Sequence, residues 1–82
     1  MGTIETLAQK LAADTLKVQD ATGEERLYME VSEVLGAASQ SLEEAFLTEM
    51  RVRLAERKAR AFLNSKISAA KAKIASKAPD HD

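Results

Sequence analysis

Three arginines, Arg53, Arg57 and Arg60, recur at i, i+4 and i+7 and so share one face of any helix that carries them. A guanidinium offers a planar fork of donors that matches a carboxylate or a phosphate in bidentate contact. Such a row can bind an outside acidic group, on a protein or on nucleic acid. It can equally pair with acids of its own chain. Asn64 continues the same face, and Glu56 is the only acid between Met50 and Asp80. No aromatic ring is interleaved for base stacking and the net charge is −1. A solvated face, or salt bridges to the acidic outer faces of helices one and two, is therefore the first expectation for Arg53, Arg57 and Arg60; as candidate partner-binding residues they suit an acidic protein before nucleic acid.

Catalytic chemistry has little else to use. Cysteine is absent, which removes thiolate nucleophiles, disulfides and zinc–thiolate sites together. The single histidine, His81, stands between Asp80 and Asp82 at the end of the sequence, where no rigid scaffold is expected to hold a metal or a catalytic triad. Gly2, Gly23 and Gly36 are isolated and form no phosphate-binding loop. The paired carboxylates Glu24/Glu25, Glu30/Glu33 and Glu43/Glu44 fall at expected helix starts or outward faces, where the helix dipole alone favours acids. A non-catalytic protein with no cofactor and no metal is expected.

The charges are sorted along the chain. Residues 1–50 hold ten acidic and three basic side chains, and residues 51–82 hold nine basic and three acidic. An acidic front and a basic back suit either an acidic partner or the acidic half of a second copy. The elements that place these charges read as helices throughout, because Ala, Leu, Glu and Lys dominate and β-branched residues never alternate.

Helix one is expected over about 4–20, capped by Thr3, with Ile4, Leu7, Ala8, Leu11, Thr15 and Val18 on its inner face. Asp20–Gly23 breaks the pattern, and the T-x-x-E spacing of Thr22 and Glu25 predicts a capping box that starts helix two over about 23–38. Leu27, Tyr28, Val31, Val34, Leu35 and Ala38 form its apolar stripe. Gly36 gives a weak break that the helix can run through. Ser41 and Glu44 form another capping-box pair, predicting helix three from 42 to about 77, where Pro79 stops it.

Helix three is too long for its partners. At about 1.5 Å per residue it spans on the order of 54 Å, against about 26 and 21 Å for the first two. Its apolar residues also divide into two stripes. Leu42, Phe46, Leu47, Met50, Leu54 and Ala61 gather on one side. Val52, Ala55, Ala59, Phe62, Leu63, Ile67, Ala70 and Ile74 gather on another, roughly 130–150° away. The first stripe is expected to close a three-helix core and the second to meet another body, with Phe62, Leu63, Ile67 and Ile74 as the oligomer interface. Lys66, Lys71, Lys73 and Lys77 flank that second stripe as lysines flank a helix–helix seam.

The expectation is an all-α protein, one three-helix domain over residues 1–78 with a disordered tail at 79–82. Two short helices pack on one long C-terminal helix, and a chain of 82 residues without disulfides gains most from dimerising. A homodimer with an interaction or adaptor role is therefore expected. A basic-helix nucleic-acid regulator is the alternative, and a peripheral membrane-surface helix comes third. No apolar run reaches the roughly 18 residues of a membrane span and no signal peptide is evident, so a cytoplasmic location is expected.

Overall fold

The computed structural model describes residues 2–77, which fold as three helices with no strand among them. These are α1 (Thr3–Thr22), α2 (Leu27–Ala38) and α3 (Gln40–Lys77). The protein is all-α, with both shorter helices packed on the first half of the third. Twenty residues in α1 and twelve in α2 against 38 in α3 mean helices of about 30, 18 and 57 Å. The molecule is accordingly a rod, 68 × 30 × 13 Å. α3 runs unbroken past residue 60. The expected tail at 79–82 lies outside the described residues.

The turns differ from the capping boxes read in the sequence. α1 extends to Thr22, because Gly23 takes up a left-handed conformation (φ 78°) and its N–H closes onto the Gln19 carbonyl at 2.8 Å. Only glycine enters that region without steric cost. Thr22 is thereby the last residue of α1. Its hydroxyl donates to the Val18 carbonyl at 2.8 Å and accepts from the Glu24 N–H at 3.2 Å. No box forms with Glu25, and α2 starts at Leu27 instead of Gly23. The orphan N–H of Tyr28 in its first turn is taken by the side-chain oxygen of Gln19 at 2.8 Å, a long-range substitute for a local cap.

α2 continues through Gly36 to Ala38, and Ser39 alone joins it to α3. The Ser39 hydroxyl accepts the Leu42 N–H at 3.2 Å, so Ser39 caps α3 and the helix begins two residues before the predicted start. Glu43 then reaches back to α2, accepting the Ser32 hydroxyl at 3.2 Å. A Cβ at Gly36 would lie 2.9 Å from the Glu43 carboxylate. The glycine leaves room for that carboxylate at a point where the two helices diverge.

The core is small. Phe46 and Met50 of α3 are fully buried and cluster with Ala12 and Leu16 of α1, walled by Leu11, Tyr28, Val31, Leu35, Leu47 and Leu54. The buried side of α1 is Ala8, Ala12, Thr15, Leu16 and Gln19. That corrects the predicted face: Ile4, Leu7 and Val18 are exposed. Two bulky side chains on α3 need small ones opposite if the helices are to approach closely. The alanines of α1 supply them beside Leu16, and Ile4, Leu7 and Val18 are turned aside. On α2 Val34 is 72% exposed and Ala38 is also outside. On α3 Ala61 is exposed, as is every side chain from 55 to 75.

Two substitutions separate core from surface. Phe46→Ala should cost about 3–5 kcal/mol, enough to unfold a domain of this size. Val34→Ala should change stability by no more than about 0.5 kcal/mol. Thermal melts followed by circular dichroism read both, and a Phe46→Ala variant that melts like the parent would place the core elsewhere.

Candidate functional site

The arginine row lies on α3 where the bundle ends. Arg57 forks onto Asp20 at the end of α1, its two Nη groups each donating to a carboxylate oxygen at 2.9 Å. Arg53 pairs with Glu49 one turn before it at 3.4 Å and donates to the Gln9 carbonyl of α1 at 3.4 Å. Arg60 holds Glu56 through Nε and Nη2 at 3.1 and 2.9 Å. All three candidate partner-binding arginines thus carry an acid of their own chain. Arg57 alone joins two helices by charge, since it follows Met50 and Leu54 along the side of α3 that meets α1 and α2.

The Asp20–Arg57 pair perturbs both groups. The guanidinium hydrogen bonds and charge hold the Asp20 carboxyl below its ordinary value of 3.8, and Asp20 raises Arg57 in return. A carboxylate depressed in the folded state stabilises fully above its unfolded pKa. The contribution is lost as pH falls through the lower, folded value. Both groups are solvent-exposed, so the effect is small and screened by salt. Comparing the parent with Asp20→Asn, the melting-temperature gap should be open at pH 7, close as pH falls through the lowered Asp20 value and shrink in high salt. A gap that persists in acid would assign it to something other than this charge pair.

Two open clefts adjoin the row. The larger, about 560 Å³, is lined by Gln19, Asp20, Glu25, Arg26, Tyr28, Leu54 and Arg57. Its wall therefore includes an acid already clamped by a guanidinium. The second, about 350 Å³, lies between α1 and α3 and is lined by Leu16, Val52, Arg53, Glu56 and Arg57. Among the described residues no three of His, Cys, Asp and Glu come together as a metal site. His81, Asp80 and Asp82 lie outside those residues. Among the described residues every buried polar side-chain atom has a hydrogen-bond partner, so neither cleft is entered by an orphaned buried group.

Among the described residues none covers the helix beyond Arg57. Leu63, Ile67 and Ile74 lie exposed along one side of α3, and Val52 lies on the same side nearer the bundle. Phe62 is 65% exposed and sits off that line, its ring under the Lys66 ammonium at 5.7 Å from the centroid, within cation–π range. Of the four candidate interface residues the structure therefore aligns three and sets Phe62 apart. Gln19 is the residue that sequence reading passed over. It is buried and couples α1 to α2, and a glutamine in the last turn of an amphipathic helix carries no local signal of that role. The chain matches no known family model, no curated protein sequence and no solved structure. Among the described residues no helix is long and apolar enough to cross a membrane.

Proposed function

We propose that this protein is a non-catalytic helical interaction module. The three-helix bundle anchors α3, and the distal half of α3 is offered to a helical partner protein. The observation that carries this reading is the run of exposed side chains from residue 55 to 75 on a continuous helix, with Leu63, Ile67 and Ile74 aligned among lysines. Apolar residues of that size in a row are unusual on a free helix surface, and a narrow seam with charged edges is the form helix–helix contacts take. The extra length of α3 calls for a second helix beside it, from another copy of the chain or from a different protein.

Nucleic-acid binding is the weaker alternative. Its best candidates, Arg53, Arg57 and Arg60, are each turned toward an acid of the chain, and bidentate phosphate contact would require those pairs to break. A membrane-surface role has lysines and apolar residues in its favour, but no tryptophan to seat the helix at the interface.

Ending the chain after Asn64 tests the division of labour. The bundle should keep its melting temperature within about 2–4 °C, since residues 65–75 are all exposed and bury nothing on the core, while association with any partner helix is lost. A collapse of the fold would show that the distal half serves stability and would remove the basis for this reading.

A further inference from the structure

The seam on distal α3 has a defined spacing. Leu63, Ile67, Ala70 and Ile74 are separated by four, three and four residues, the alternation of d and a positions in a heptad, with isoleucine at a and leucine or alanine at d. They fall within about 60° of one another around the helix and run about 17 Å along it. Val52 continues the same side back to the 350 Å³ cleft between α1 and α3. The apolar seam itself runs from Leu63 to Ile74 and is uncovered among the described residues, with Glu56 and Ala59 standing between it and Val52.

Its flanks carry one sign of charge. In this register Lys66 and Lys73 occupy g positions and Lys71 an e position, with Asn64 at the other e. Two such seams cannot pair well. A parallel pair sets g against e′, bringing Lys66 toward Lys71, and an antiparallel pair sets g against g′, again lysine on lysine, with Asn64 facing Lys71 at e and no acid on either flank. The other apolar stripe left open in the bundle, Ile4, Leu7 and Val18 of α1, has Asp14 at its edge with Lys10 and Lys17 beyond it, so its border is mixed and net basic and offers no acidic flank to match the lysines. On α2 the exposed Met29 and Val34 lie about 140° apart and make no line.

We infer that the occupant of this seam is an amphipathic helix of a different protein, apolar at a and d and acidic at e and g. The inference rests on the interaction-module reading and adds to it the chemistry of the partner. The arginine row is engaged within the chain, so selection by charge falls to Lys66 and Lys71 at the flanks. Like charges on the seam itself act against self-pairing, the repulsive half of a specificity device.

The test uses the full chain and two labelled three-heptad peptides, identical with Ile at a and Leu at d. One has Glu at every e and g position and the other has Lys. Fluorescence anisotropy should show the acidic peptide bound, and the basic one about tenfold weaker or more. Lys66→Glu with Lys71→Glu should invert that preference. Ile67→Asp should abolish binding of the acidic peptide while leaving the melt unchanged, because Ile67 lies outside the core. Equal binding of both peptides, or of neither, overturns the inference. Sedimentation equilibrium separates the remaining outcomes. A seam-dependent dimer of the parent, returned to single chains by Ile67→Asp, overturns the inference but leaves the protein-contact reading standing. If neither peptide binds and the parent instead holds duplex DNA or RNA through Lys66 and Lys71, both fall.

Discussion

Phe46 and Met50 set the terms for everything else in this fold. They are the only large side chains completely withdrawn from water among the described residues, and both sit in the first third of α3. Each buried side chain of that size contributes about 1.5–3 kcal/mol, a large share of the stability open to so small a domain. Whatever packs on them must do so at close range, which selects Ala12 and the neighbouring Ala8 as the inner side of α1. Once α1 lies there, its end falls beside Arg57, and the Asp20 pair becomes possible. The bundle ends where that pair sits, and α3 does not.

The polar contacts follow from the same placement. Gln19 is one turn before the left-handed Gly23 and is carried inward with the buried side of α1, so its amide oxygen meets the first turn of α2. Glu43 does the reverse, reaching from the first turn of α3 to Ser32 over the gap left by Gly36. The first turns of α2 and α3 are thus each tied to a neighbouring helix. The two short helices are located by hydrogen bonds as well as by apolar contact, an economical arrangement where the core has so few members.

Helix count, fold class and the excess length of α3 were legible in the sequence because each depends on summed propensity and on breakers such as Gly23. The stripe Phe46–Met50–Leu54 was legible for the same reason. What was hidden is directional. Hydrophobic periodicity puts Ile4, Leu7 and Val18 on the inner face beside Ala8 and passes over Ala12 and Leu16, yet close approach to two bulky residues rotates the helix onto its alanine side, and only the partner surface reveals it. Thr22–Glu25 and Ser41–Glu44 have capping-box spacing, but a glycine already closing α1 and a serine two residues earlier supply the caps first. For the arginines, pairing within the chain was visible as an option. That Asp20 and not another acid meets Arg57 depends on where α1 stops.

The length of α3 also bears on how its outer half stays helical. Starting a helix is the unfavourable step, with a nucleation constant of about 10⁻³, whereas each added residue is close to neutral or slightly favourable. In α3 the first turns are held by the Phe46–Met50 cluster, so every residue beyond Arg57 is added by propagation from a fixed seed. An isolated peptide of that length would be a marginal helix in water. Attached here, it is templated, and its helicity must decline in one direction only, from the bundle toward the far end. Backbone amides along α3 should therefore form a graded ladder of hydrogen-exchange protection, and the bundle works as a primer that keeps an otherwise weak helix ready-formed.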